Sequence, residues 1–413
     1  MKGLSLAAIA SACGGTCYGP EELLSREITG VAIDSRKIEE GFLFVPIKGA
    51  RVDGHDFIEQ VMEKGALCSL SEHSLGDVPY PYIVVESTEQ ALKDLARYYR
   101  SRLNLKVIGI TGSVGKTSTK ELIASVLAQK YHVLKTEGNY NNEIGLPLTI
   151  FRLTEEDEIA VLEMGIDHFG EMHRLADIAR PDVCVITNIG YAHLESLGSR
   201  EGILKAKTEM FDHLQDEFCV VLNGDDDMLR TVSDVRGQKP VFFGIDSAAP
   251  VFASHIENRG LKGTLCTIQL PACGDFPEAT IQADIPIPGK HMVYNALAGA
   301  YIGRLFGLSA EEIESGIRAL RLFVSFPWFH MPLPEMGWFR TAMAGLPTHP
   351  GWFPVWVPLS RFCRFLCRFL LPGGCGFRFF SDAPFVRYGF FVFPLGVPEI
   401  LGDCAPGRLP VLV

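Results

Sequence analysis

The stretch Lys106–Leu122, KVIGITGSVGKTSTKEL, constrains the chain most. An apolar run of strand length meets glycines at once, and Gly115-Lys116-Thr117 then opens a helical pattern. Glycines let backbone N–H groups turn toward an anion, and a helix N-terminus adds positive potential there. In that setting Lys116 is placed to reach the β- and γ-phosphates of a nucleotide, and Thr117 to offer its hydroxyl to Mg²⁺. Gly112, Ser113, Gly115 and Ser118 complete the predicted cradle. The spacing is short: only Ser113 and Val114 separate Gly112 from Gly115, where the usual phosphate loop has four residues. A glycine-rich turn with no ligand is the competing reading of the same letters.

Beyond the loop the strand–helix pattern repeats. HVLKT, EIAVLEMG, DVCVITNI and EFCVVLN are continuous apolar runs separated by helical stretches. Such runs predict an α/β fold whose parallel sheet is covered on both faces. The central domain is read as 87–320. STEQALKDLARYYRSRL is its first helix, capped by Ser87 or Thr88. Short β-like pieces fill the span from Pro240 to Pro288, and GKHMVYNALAGAYIGRLFGL closes the domain as a helix rich in small residues. Residues 1–86 read as a small α/β domain. It has strands around Ile33 and Phe44, and a helix that begins near Asp53 or Asp56 and ends at Gly65. The opening apolar run is read as an amphipathic helix from Ser5 to Cys13 rather than a signal peptide.

Composition narrows the function. A chain of 413 residues is too long for one core. A net charge of −11 argues against a general nucleic-acid binder. The 11 cysteines form no C-x-x-C pair, which suggests buried thiols in a reducing compartment. No apolar run approaches the roughly twenty residues of a membrane span, so a cytoplasmic protein is expected.

The composition changes abruptly near Leu320. Residues 321–413 contain no lysine, only four acidic residues, all four tryptophans and 15 of the 27 phenylalanines. Arginine beside phenylalanine could suit a membrane interface, but recurrent prolines would break such a helix. This segment reads as one not selected to fold, expected to be disordered or aggregation-prone.

Other candidates sit at strand ends. Glu163 closes the run VLE and His193 follows the next strand in TNIGYAHLE. Both therefore fall on the rim where parallel sheets bind ligands. Taken alone, a carboxylate there is an ordinary capping residue and a loop histidine is structural. Lys205 and Lys207 lie on one predicted helix, where spacing alone assigns both to a solvated face.

Taken together, these stretches resemble the Mur ligase family of ATP-dependent amide-forming enzymes of bacterial cell-wall synthesis. The matching text is DSRKIEEGFLFVPIKGARVDGHDF, GITGSVGKTSTKE, NYNNEIGLPLT, EMGIDHFGEM, TNIGYAHLESLGSREGILKAKTEMF, LNGDDD and GKHMVYNALAGA, spread over residues 1 to about 320. The short loop is the family's own form. The resemblance implies joining D-alanyl-D-alanine to a UDP-N-acetylmuramoyl-tripeptide through an acyl phosphate. It implies ATP and two Mg²⁺ ions, one held by Thr117 and Glu163, the other by His193 and a carbamylated Lys207. Lys116, Lys207 and His193 become the catalytic set. Asn295 falls near the adenine, and Asn141 and Asn142 fall near nucleotide and substrate. Ser35, Arg36, Lys48, Asp53 and His55 fall in the domain that holds the UDP-sugar. A monomer acting on soluble precursors is expected, with neither nucleic acid nor membrane as partner.

The family's C-terminal Rossmann-like domain, with its Asp-Asp-x-Tyr run, is not recognisable in 321–413. A shift of reading frame near residue 320 would account together for the lost lysines, the excess aromatics and the missing motif. Such a chain is expected to bind the UDP-sugar yet couple poorly. Two alternatives remain open at this point: a related ligase, including a folylpolyglutamate synthetase-like one, and a catalytically dead ATP-binding protein.

Overall fold

Short polar caps and apolar runs set the first elements of the chain, here in a computed structural model. It describes residues 1–321 apart from Lys2 and Ser247, and beyond them only the backbone of four strand segments within 323–394. The expectations for the rest of 321–413, including disorder, the missing motif and the reading-frame shift, fall outside the described residues. Ser5 caps α1 (Leu6–Ala12), its side chain accepting from the Ala8 N–H. Five strands follow: β1 (Thr16–Tyr18), β2 (Val31–Ala32), β3 (Leu43–Phe44), then, after α2 (Ile58–Glu63), β4 (Cys68–Ser71) and β5 (Tyr82–Val84). They form one sheet in the order β1-β5-β4-β3-β2, parallel except where β1 meets β5. Asp53 caps a 3-10 turn, Gly54–Phe57, that runs into α2.

Ser87 caps α3 (Thr88–Ser101) by accepting from the Gln90 N–H. The second region then alternates: β6 (Lys106–Thr111), α4 (Lys116–Leu127), β7 (Val133–Lys135), α5 (Gly145–Ile150), β8 (Ile159–Glu163), α6 (Glu171–Ala179), β9 (Val183–Ile186), α7 (Leu194–Leu197), α8 (Arg200–Thr208) and β10 (Cys219–Asn223). It continues with β11 (Val241–Gly244), β12 (Val251–Asn258), β13 (Thr264–Leu270), β14 (Ala279–Ile285), α9 (Lys290–Leu305) and α10 (Ala310–Arg318). All nine strands belong to one sheet, ordered β14-β13-β12-β11-β10-β9-β6-β8-β7. Pairing is parallel from β7 to β12 and antiparallel across β12, β13 and β14. Of the β-like pieces after Pro240, β11 and β12 thus extend the parallel sheet while β13 and β14 add an antiparallel wing, and the sheet is mixed. TLCTIQL shows why: its side chains alternate buried and half-buried, the mark of a strand covered on one face.

Both faces of the parallel part are dry. Along β8, Ile159 and Val161 join one core cluster and Ala160 and Leu162 the other; β9 divides the same way. One face packs on α4, α9 and α10. The other shares a continuous core with α3, α6 and the N-terminal elements. Small residues let α9 approach α4 closely: a Cβ on Gly299 would collide with Leu122, and one on Gly303 would lie 2.7 Å from Val126 Cγ1. No helix among the described residues is long and apolar enough to cross a membrane.

Candidate active site

β6 lies between β8 and β9, and the chain crosses from one side of it to the other. That makes its C-terminal end the topological switch point, where open α/β sheets bind ligands. The loop Gly112–Gly115 occupies this point. Gly112 has φ +150° and a Cβ there would collide with Thr187 Oγ1; Gly115 has φ +83° as the residue before α4. Only glycine takes both conformations without strain.

The residues after β9 hold the short loop in place. Ser113 N–H donates to Asn188 O (3.0 Å), Val114 N–H to Asn188 Oδ1 (3.0 Å), and Gly190 N–H to Ser113 Oγ (2.9 Å). Thr187 Oγ1 donates to Val114 O at 2.6 Å. Lys116 Nζ donates across the loop to Gly112 O at 2.9 Å. Burial lowers its pKa, opposed by the nearby charges of Glu163 and Asp167.

Glu163, at the end of β8, is 2% exposed. Its Oε1 accepts from the Thr117 hydroxyl (3.2 Å) and from Asn141 Nδ2 (3.0 Å). Its Oε2 faces Lys120 Nζ at 3.4 Å and has no hydrogen-bond partner in the structure. A cavity of about 350 Å³ opens here, lined by Ser113–Ser118, Asn139, Asn141 and Glu163. A larger groove, about 1530 Å³, runs along the opposite, N-terminal ends of the strands beside Lys106 and Asp182. Those two groups already pair at 2.8 Å and no glycine loop faces the groove, so the smaller cavity carries the site.

His193 adopts φ +65° ahead of α7 and sets its Nδ1 2.9 Å from Asp167 Oδ1. On α8 the structure separates the two lysines: Lys205 is exposed, whereas Lys207 is 1% exposed. Burial first, and the Lys116 charge second, pull the Lys207 pKa from 10.5 down to about 7, against the attraction of Asp167. Lys116, Asp167 and Lys207 are therefore within electrostatic reach of one another.

The other predicted residues divide. Asn141 reaches Glu163, but Asn142 turns to the start of α5, its Oδ1 accepting from the Gly145 N–H at 2.8 Å. Asn295 is buried behind the loop, where its Oδ1 accepts from the Thr119 hydroxyl at 2.9 Å and ties α9 to α4. Ser118 lines the cavity. The N-terminal candidates form their own group. Arg36 is held bidentately by Asp34 at 2.9 and 2.7 Å with its side chain 86% exposed, and the Ser35 carbonyl accepts from Lys64 Nζ. Lys48 bridges to Asp53 through the backbone. Asp53 Oδ1 lies 2.6 Å from His55 Nδ1, and His55 Nε2 accepts from the Glu72 N–H, so both ring nitrogens are engaged within the domain. Lys120 and Asp167 were not singled out from sequence. Lys120 stands one helical turn after Lys116, on the same face, which is the signal that would have found it.

Fold and site define an α/β domain built around a phosphate loop at its topological switch point. The Mur ligase middle domain matches residues 110–303, and the Mur ligase family catalytic domain matches 27–100. The chain belongs to the Mur ligase family. Among its relatives is the UDP-N-acetylmuramoyl-tripeptide–D-alanyl-D-alanine ligase of Bacillus subtilis, 38% identical over 76% of this chain and 66% of the relative. The Escherichia coli ligase of the same name is 36% identical over 73% of this chain and 66% of its own length. The chain thus spans just under two thirds of these relatives. A MurF crystal structure from Acinetobacter baumannii matches with TM-score 0.70 at 31% identity, covering 78% of this chain and 70% of that one. MurF ligase from Thermotoga maritima in complex with ADP matches with TM-score 0.62 at 32% identity, over 70% and 65%.

Proposed function

We propose that residues 1–320 are the UDP-sugar-binding (1–86) and ATP-binding (87–320) parts of a cytoplasmic, monomeric amide ligase. It joins D-alanyl-D-alanine to UDP-N-acetylmuramoyl-tripeptide in peptidoglycan synthesis. The observation that carries this is the Thr117 hydroxyl set against a buried Glu163 at the end of the next strand, beside a short phosphate loop. The relatives named above give the substrates, and the ADP-bound relative supports nucleotide binding.

In this reading the tripeptide carboxylate attacks the ATP γ-phosphate, giving ADP and an acyl phosphate. The dipeptide amine then adds to the acyl carbon, and the tetrahedral adduct expels phosphate as the amide forms. Backbone N–H groups of 112–118 and the Lys116 ammonium hold the phosphate oxygens where charge develops. Ser35, Arg36, Lys48, Asp53 and His55 hold the UDP-sugar, Asn142 adjoins the substrate and Asn295 the adenine side.

The site fits Mg²⁺. Glu163 Oε2 is buried without a hydrogen bond and Thr117 adjoins Oε1. When bound, Mg²⁺ supplies positive charge against the phosphates. Thr117 and Glu163 would hold one ion, His193 and a carbamylated Lys207 the other. Lys207 suits that modification: with a pKa near 7, its neutral amine can add CO₂ and lose a proton, giving a carbamate anion in place of the ammonium.

The test is the substrate dependence of phosphate release. The chain should bind ATP and UDP-N-acetylmuramoyl-tripeptide, and once an intact C-terminal ligase domain completes it, release should rise above the ATP-only background only when UDP-N-acetylmuramoyl-tripeptide and D-alanyl-D-alanine are both present. ATP binding with no response to either substrate, and no affinity for the UDP-sugar, would identify a nucleotide-binding protein of another kind.

A further inference from the structure

We propose that His173 and His213 form a binding site for a divalent transition-metal ion such as Zn²⁺ or Ni²⁺, apart from the nucleotide site. His173 lies on α6, and His213 ends the 3-10 turn Glu209–His213 that follows α8. Their Nε2 atoms are 3.1 Å apart, with ring centroids at 4.3 Å. Each Nδ1 faces a carboxylate: His173 Nδ1 lies 3.0 Å from Asp212 Oδ2, and His213 Nδ1 lies 3.5 Å from Asp177 Oδ1. Arg97 and Arg180 hold Asp177 in turn, at 2.7 and 2.8 Å.

The tautomers are set by the carboxylates. An ionised carboxylate only accepts, so the proton of the neutral His173 ring sits on Nδ1, and the Asp177 charge 3.5 Å from His213 Nδ1 favours the same tautomer there. Both Nε2 atoms are then acceptors 3.1 Å apart, within hydrogen-bond distance, and such a pair needs a proton or a metal ion between them. With metal–nitrogen bonds of about 2.05 Å, the observed separation corresponds to an angle of roughly 100° at the metal, close to tetrahedral. A carboxylate behind each imidazole is the arrangement that fixes the metal-binding tautomer and raises ligand basicity. Imidazole donors favour Zn²⁺, Ni²⁺ and Cu²⁺ over Mg²⁺. Glu209 is occupied by the Gly170 N–H at 2.9 and 3.0 Å. Among the described residues no group of three or more potential ligands is arranged around a metal, so the ion takes its other ligands from water. It would brace α6 against the turn that ends the Lys207 helix.

The test is a Ni²⁺ titration of the chelator-stripped, full-length chain against a competing chromophoric chelator at pH 7.5, repeated with excess Mg²⁺. His173→Gln and His213→Gln should each weaken the site by tenfold or more. Asp212→Asn, which keeps both ligands, should weaken it 10- to 100-fold, and excess Mg²⁺ should leave it unchanged. The His173 side chain is 51% exposed, so its variant should fold even if His213→Gln does not. Ni²⁺ affinity in His173→Gln within threefold of the parent chain would show that the pair shares only a proton and would overturn the proposal.

Discussion

Replacing Lys207 with methionine should stabilise the fold while removing a functional group. The lysine is 1% exposed on α8, and methionine retains an unbranched stem that can fill the same space. Holding the ammonium pKa at about 7 instead of 10.5 corresponds to a penalty of about 5 kcal/mol at most, at 1.36 kcal/mol for each tenfold. The penalty is complete below pH 7, where folded and unfolded chains both carry the charge. As pH rises from 7 toward 10.5 the folded chain loses its proton first, so its stability climbs by about 1.4 kcal/mol per pH step. Urea unfolding of both proteins at pH 6.5 and 9.5, in CO₂-free buffer, reads this directly. The methionine variant should be more stable by several kcal/mol at pH 6.5, and most of that gap should close at pH 9.5. A methionine variant less stable at pH 6.5, or a gap that ignores pH, would refute the buried-amine reasoning.

Three further outcomes are expected. Lys116→Ala should weaken ATP binding about 10- to 100-fold, since a charge-assisted contact is worth about 1.5–3 kcal/mol, with little change in the unfolding midpoint; affinity within threefold of the parent would remove Lys116 from the site. Gly112→Ala forces a Cβ onto Thr187 Oγ1 at a φ of +150°, so calorimetry should find nucleotide binding lost in a chain that still folds. In a version completed by an intact C-terminal ligase domain, Lys207→Ala should abolish substrate-dependent phosphate release, with partial recovery in small carboxylic acids; full activity without them would make Lys207 a spectator.

Local signals carried much of the fold. KVIGIT gives β6 its bounds because the apolar run ends at Gly112, and Ser87 caps α3 through the hydroxyl that the sequence offers. The helix α10 went unpredicted although Ser309 and Glu312 spell a capping box, which the structure forms from both sides. The antiparallel wing was legible as strands but not as part of the same sheet, because pairing partners lie outside any local window. The site followed the same division. The loop could be read from strand–loop–helix context, and Glu163 could be placed on the sheet's rim but given no role from that placement alone. Lys207 could not, because helical spacing does not distinguish a buried lysine from the exposed Lys205 two residues before it. The roles of Thr187 and Asn188 in bracing the short loop emerge only when β9 lies beside β6.

The most direct test of the central claim is a calorimetric titration of the 413-residue chain with UDP-N-acetylmuramoyl-tripeptide, alone and with a non-hydrolysable ATP analogue and Mg²⁺. The account predicts saturable binding of both ligands, one each per chain, with the analogue's affinity weakened about 10- to 100-fold in Lys116→Ala and the UDP-sugar's retained. Binding of the analogue with no measurable affinity for the UDP-sugar would contradict it.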